Sequence, residues 1–211
     1  MTKDCVYMSE MVFMSRIRTV VIGMVLLTSA LVSCSNSSDS LDGYIPPSPK
    51  NVSTATVHEA GTATPMSFVP AAGEVLIVYF GYTHCPDLCP TTMVAIKNAK
   101  KKIGDLASKV DIAMITVDPA RDTDEILSRY LASFSDRYHA LVPTSDAELR
   151  AVEKLFQATS SVTNVDGEIQ VVHGGTAYVV DSTGNVVVEW PFGLDSVSMA
   201  HDLKILLTER K

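Results

Sequence analysis

A continuously apolar run, Val75–Phe80, stops at Gly81, and two cysteines follow, Cys85 and Cys89, each with a proline directly behind it. The run is short, and several of its positions are β-branched. It therefore reads as a strand buried on both faces. Pro90 suits the first turn of a helix, where its missing N–H does no harm. Met93, Val94, Ile96, Ala99 and Ile103 then give an apolar face, with Lys97, Lys100, Lys101 and Lys102 on the wet side and Gly104 as the stop. A buried strand that passes into two thiols and then a helix points to an α/β fold. Its chemistry would sit at the carboxyl end of that strand.

The two other cysteines fall in the N-terminal segment. Arg16 and Arg18 precede Thr19–Val32, 14 residues without a charge. That is shorter than the roughly 20 apolar residues a spanning helix needs, and it fits an export signal. The stretch ends in Leu31-Val32-Ser33-Cys34, which resembles the lipobox of bacterial lipoproteins. The resemblance implies a signal over residues 1–33, with Met14 as the natural start, and lipidation of Cys34. A plain anchor helix or a conventionally cleaved signal is the alternative. Residues 34–53 read as a lipid-attached flexible tether, because Ser35–Asn51 is rich in Ser, Asp and Pro without apolar period. That would place the protein on the extracytoplasmic face of the cell membrane. The net charge of −7 excludes a phosphate-binding surface and hence nucleic acid.

The remainder supplies the other layers. Short strands are expected at Thr54–His58 and Met66–Val69, and a second buried strand at Val110–Val117. Asp122 and Glu125 have capping-box spacing ahead of Ile126, Leu127, Tyr130, Leu131 and Phe134. Ser145 and Glu148 form a better box ahead of Leu149, Val152, Leu155 and Phe156. Ile169–Val172, Thr176–Val180 and Val186–Trp190 read as strands, the last two joined by a turn at Asp181–Asn185. Ser196–Thr208 closes the chain as an amphipathic helix. Parallel βαβ units in front and an antiparallel hairpin behind fit a thioredoxin-like α/β sandwich with a central mixed sheet and an N-terminal extension.

Cys85 and Cys89 both precede proline, which keeps such residues out of the α region. Cys89 would then lie near a helix N-terminus, where N–H groups favour a thiolate. A disulfide across three intervening residues would restrain the unfolded chain little. The pair is therefore reactive or metal-binding, and two sulfurs with one imidazole suit Cu(I). His84 should point away from its neighbour Cys85, and His201 should be exposed on the last helix. His173 stands out because Gly174-Gly175 lets the backbone after it approach another loop.

The strings VYFGYTHCPDLCPTTM and VDPARDT, with a His just ahead of TAYVVD, resemble the Sco/SenC family of copper-binding proteins. The resemblance runs from about Glu74 to the C-terminus. It implies a copper-binding domain over residues 54–211, with Cys85, Cys89 and His173 as ligands and a Cys85–Cys89 disulfide in the oxidised state. It also implies a chaperone that carries Cu(I), with Cu(II) accommodated by the imidazole. The partner would be the copper-bearing subunit of cytochrome c oxidase or a related haem–copper oxidase, whose dinuclear centre it helps assemble. Family members commonly carry Asp directly before the His, whereas this chain has Val172. Disulfide-exchanging thioredoxins place a proline in the region that here reads HGGTAYVVD, which favours metal binding over general disulfide exchange. The alternative function is a thiol–disulfide oxidoreductase that reduces the copper-receiving subunit. Asp118 and Arg121 either pair with one another as loop caps or tune the site and meet the partner.

Overall fold

The computed structural model describes residues 40–208. Ten strands and four α-helices form among them. In chain order these are β1 (Lys50–Asn51), β2 (Thr56–Val57), β3 (Met66–Ser67), β4 (Val75–Gly81), α1 (Leu88–Lys102) and β5 (Val110–Thr116). Then come α2 (Asp124–Ala132), β6 (Tyr138–Leu141), α3 (Asp146–Phe156), β7 (Ser160–Val165), β8 (Glu168–His173), β9 (Ala177–Val180), β10 (Asn185–Trp190) and α4 (Ser196–Thr208). The signal over residues 1–33, Cys34 and the first part of the tether lie outside the described residues.

Six strands make the central sheet, in the order β1-β10-β9-β4-β5-β6. β4, β5 and β6 are parallel, while β9 and β10 return antiparallel. This is the thioredoxin-like arrangement. Every residue of β4 is buried, and strand alternation divides them between two cores. Val75, Ile77 and Tyr79 pack with residues of α1, α2 and α4. Leu76, Val78 and Phe80 pack with α3, Val57 and Phe68. In that second core Phe156 meets Phe68, Phe80 and Tyr178 edge-on, at centroid distances of 5.2–5.5 Å.

The segment read as a flexible tether belongs to the domain over much of its length. Leu41 and Val52 are buried, and Lys50–Asn51 pairs with β10. The buried carboxylate of Asp202 on α4 accepts from Asp42 N at 2.6 Å, Gly43 N at 3.0 Å and Trp190 Nε1 at 2.8 Å. Composition alone hides this, because the strap is held by backbone hydrogen bonds that need no apolar period.

Other departures are local. α1 starts at Leu88, so Cys89 lies inside the first helical turn despite the proline behind it. The cap of α2 is Thr123, whose side chain accepts from Ile126 N, and Asp122 is used elsewhere. Ser145 caps α3 as expected, accepting from Glu148 N. β6 and β7 have no counterpart in the sequence reading. β7 is polar and exposed, and β6 is a four-residue edge strand with two half-buried positions.

Candidate metal centre

β4 delivers the chain to the sheet rim at Gly81. A Cβ there would lie 2.9 Å from Cys89 Sγ, 2.9 Å from Met114 Cε and 2.8 Å from a Tyr79 ring carbon. Glycine is thus required by the close approach of the sulfur. The loop that follows is fastened by Asp122, whose side chain is fully buried. It accepts from Thr83 N at 2.9 Å, Thr83 Oγ1 at 2.5 Å and Thr116 Oγ1 at 2.7 Å. The loop returns into α1, where the Cys89 N–H donates to Cys85 Sγ at 3.3 Å. Both cysteines are free thiols, so the implied Cys85–Cys89 disulfide is not formed in this state.

His173 arrives on a different element. It ends β8, which among the described residues pairs only with β7, and it sits directly across from Ser160. Its Nδ1 donates to the Gly174 carbonyl at 2.9 Å. With Nδ1 so engaged, Nε2 is the ring nitrogen that faces the sulfurs, as a metal ligand needs. Nε2 lies 3.5 Å from Cys89 Sγ. The Cys85 and Cys89 sulfurs and one ring nitrogen of His173 all fall within 4.8 Å of one another. Donors bound to one ion at about 2.0–2.3 Å sit roughly 3.5–4 Å apart, so the spacing fits a shared cation. Tyr79 and Tyr82 present T-shaped contacts to the imidazole, at 6.1 Å and 5.6 Å between centroids. A Cβ on Gly175 would be 2.9 Å from Phe192 Cβ and 3.3 Å from a Leu88 methyl. The glycine after the histidine therefore does meet the cysteine-bearing segment.

Electrostatically, burial favours the neutral forms of Cys89 and His173. Burial pushes the Cys89 thiol up to about 12, against the pull of the Tyr82 backbone and with Cys85 adding to the rise. The thiolate expected at the helix N-terminus is thus not favoured, because desolvation of a fully buried sulfur outweighs the helix-end N–H groups. Burial also lowers the His173 pKa, and the Gly174 carbonyl only partly offsets it. Burial holds the Tyr79 hydroxyl far above its usual range and raises Tyr82 as well. A cation entering here displaces the Cys89 proton rather than meeting a ready-made charge there.

Asp118 and Arg121 pair with one another through Arg121 Nε and Asp118 Oδ2, with Asp118 buried. Among the hydrogen bonds and ion pairs of the described residues, neither side chain engages a sulfur or the imidazole. Their link to the site is indirect: the Arg121 guanidinium lies 5.8 Å from the centroid of the Tyr82 ring, which in turn abuts His173. Sequence reasoning did not single out Asp122, Tyr79, Tyr82 or Thr83. Asp122 stood in the quoted VDPARDT string, but its spacing to Glu125 pointed to a cap instead. His84 turns outward beside Thr83 and Asp122. His58 and His139 lie against Asp124 and Glu59. His201, half-exposed, forms a second group with Asp42 and Asp202, where the Asp202 oxygens already serve the strap.

Fold and rim cluster together define a thioredoxin-like domain that gathers two thiols and an imidazole at the end of its central strand. The chain belongs to the SCO1/SenC family, whose model matches residues 57–208. An SCO2-like protein of Rickettsia prowazekii is 33% identical over 117 residues, covering 53% of this chain and 56% of that protein. The chain spans less than two thirds of the length of the curated relatives it matches first, 56–60%. Apo Sco1 from Thermus thermophilus superposes with a TM-score of 0.69 at 27% identity, covering 81% of this chain and 99% of that one. Copper-bound ScoI from Bradyrhizobium japonicum does so with a TM-score of 0.62 at 28% identity, covering 74% and 96%.

Proposed function

We propose that the protein is a copper chaperone in which Cys85, Cys89 and His173 carry the metal as cargo. The observation that supports this is the convergence of the three donors within 4.8 Å, with Nε2 facing the sulfurs, in a chain similar to a copper-bound relative. Two soft sulfurs and one imidazole suit Cu(I) without a fourth ligand, and the imidazole accommodates Cu(II). Cys89 is buried while Cys85 and His173 are partly exposed. Incoming donors from a recipient would therefore displace His173 and Cys85 first and Cys89 last. The recipient is the copper-bearing subunit of cytochrome c oxidase or a related haem–copper oxidase, whose dinuclear centre has ligands able to make that exchange. Cys34 carries the lipid that holds the domain on the extracytoplasmic face of the membrane.

The test is a Cu(I) competition titration of the detergent-solubilised full chain under reducing conditions. Cys85→Ser and Cys89→Ser should each abolish stoichiometric binding, and His173→Ala should weaken it. Stoichiometric copper in the double cysteine variant would refute the ligand assignment. Mass spectrometry of the membrane fraction tests the anchor, which an unmodified Cys34 would remove.

One observation favours a second reading. The two thiols are free and adjacent, so the pair can reduce a disulfide in the recipient while Cys85 and Cys89 become a disulfide, passing two electrons and two protons. That reaction needs both sulfurs and not the imidazole. Oxidase assembly that survives His173→Ala would select this oxidoreductase reading over metal delivery.

A further inference from the structure

Among the described residues the β7–β8 hairpin pairs with no other strand, and most of its residues are exposed. A two-stranded hairpin is marginal in water by itself. Whatever grips its base therefore decides where His173 sits. The grip comes from α3. Its buried face carries Leu149, Val152 and Phe156, as a core helix should, but also Glu153, only 3% exposed. That carboxylate accepts from Arg150 Nη1 at 2.5 Å and from Ser160 Oγ at 2.5 Å. The same Arg150 nitrogen donates to the Ser160 carbonyl at 2.8 Å and reaches Ser160 Oγ at 3.3 Å. Ser160 is thus held by side chain and backbone together. It is also the residue that pairs with His173 across the hairpin. Below the pair, Gly174 N donates to the Thr159 carbonyl at 3.3 Å and closes the base.

A buried carboxylate is poorly justified by packing, since an apolar side chain would fill α3's inner face without a desolvation penalty. Its hydrogen bonds instead end on the cross-strand partner of the imidazole. Directly paired strand residues have Cα atoms only about 4.5–5.5 Å apart, so a shift at Ser160 passes straight to His173. A site held to bonding distance tolerates a displacement of only about 0.5 Å. We propose that Glu153 and Arg150 are positioning residues: an ionic latch on Ser160 that fixes the hairpin base and so sets the reach of His173 to the sulfurs. This rests on His173 being a copper ligand. The latch fixes where the histidine stands along the strand, while Tyr79 and Tyr82 fix how its ring is turned.

The test uses the full chain in detergent and three variants, Glu153→Gln, Ser160→Ala and Ser160→Thr. Cu(II) is added, and the nitrogen hyperfine coupling of the bound imidazole is read beside the sulfur-to-copper charge-transfer absorption. Glu153→Gln and Ser160→Ala should keep the sulfur absorption, lose most of the nitrogen coupling and weaken Cu(I) binding by about tenfold. Ser160→Thr, which keeps the hydroxyl, should restore both. Leu203→Ala in α4 serves as a control for loss of stability alone, and its nitrogen coupling should be unchanged. Full nitrogen coupling in both latch variants would overturn the proposal while leaving copper binding intact. Amide hydrogen exchange of the metal-free protein gives a readout that needs no copper. Faster exchange over residues 160–173, with β4 and β5 unchanged, is expected in Glu153→Gln and Ser160→Ala. Unchanged exchange there overturns the latch even if the wild type binds no metal.

Discussion

The two halves of the centre are built on opposite principles. The thiols follow β4, every residue of which is buried: Cys85 is half-buried in the loop, and Cys89, in the first turn of α1, is buried with its sulfur close against Gly81. The imidazole stands at the base of an exposed hairpin, with polar anchors at Ser160 and aromatic edges from Tyr79 and Tyr82. Close-packed interiors resist displacement of even one methylene, whereas surface strands open locally at little cost. The sulfurs are therefore a fixed platform, and the histidine is an adjustable third ligand. A protein that must hold a metal and then surrender it gains from that asymmetry, since the more exposed ligands can leave while the buried Cys89 waits.

The sharpest test of the comparison is pH. Cys89 is buried and its thiol is pushed up to about 12, so it carries its proton throughout the neutral range. Each copper bound must release that proton, and affinity should rise at least about tenfold per pH unit, or at least roughly 100-fold from pH 6.5 to 8.5. The His173 pKa is lowered, so the arm contributes no slope above its ordinary value of about 6.5. The sign for the metal-free protein is the reverse. A raised thiol pKa stabilises the fold fully below the ordinary 9.0, and that contribution disappears as pH climbs towards about 12. Competition titrations of the wild type across pH check the first, and urea unfolding of the metal-free wild type and Cys89→Ser across pH checks the second. A flat affinity profile would show that the buried sulfur enters as a thiolate.

Next in size is Gly81→Ala. The added methyl would meet Cys89 Sγ, Tyr79 and Met114 at 2.8–2.9 Å, with all three neighbours buried. Overpacking of this kind costs about 1–3 kcal/mol, and here the group forced aside is a ligand. Urea unfolding should show the loss of stability, and copper binding should fall with it. Full copper affinity in a destabilised Gly81→Ala protein would mean that the sulfur platform is more pliable than its packing indicates.

On the arm, Tyr82 offers a smaller and more selective probe. Its ring meets His173 edge-on and lies beneath Arg121. An aromatic pair of this geometry contributes about 0.5–1.5 kcal/mol. Tyr82→Leu should weaken copper binding by roughly twofold to tenfold, while Tyr82→Phe, which keeps the ring edge and loses only the hydroxyl's bond to Cys85, should lose less. Equal losses in both variants would move the role from the ring to the hydroxyl.

This division also explains what could be read from the residues alone. Val75–Phe80 was legible as a strand because burial on both faces demands an unbroken apolar run. Ser145 was legible as a cap because a side-chain oxygen three residues ahead of Glu148 has one dominant use. β7 was not legible, since a polar, exposed strand carries no period that burial would impose. Asp122 was misread for a related reason. Its spacing to Glu125 mimics a capping box, and only the tertiary fold brings Thr83 and Thr116 to its carboxylate. Among the ligands, the cysteines were marked by strand, proline and helix. His173 was marked by its glycines and by family resemblance; the strand that carries it was legible at Ile169–Val172, but β7, its partner in the hairpin, was not.

The smallest expected effect concerns Val172, where the family commonly has Asp. The side chain is 69% exposed. Successive residues of a strand point to opposite faces, so residue 172 faces away from the side that carries Val171 and His173. A carboxylate placed there would act on the metal only through its charge. Unit charges about 7 Å apart in water interact by roughly 0.6 kcal/mol, and Val172→Asp should therefore tighten copper binding by less than about threefold. Stability should stay within about 0.5 kcal/mol, as for other exposed substitutions. A tenfold gain in the competition titration would mean that the new carboxylate reaches the copper itself. The hairpin would then have to twist far enough to turn both residues inward, and the arm would be freer than the latch at Ser160 allows.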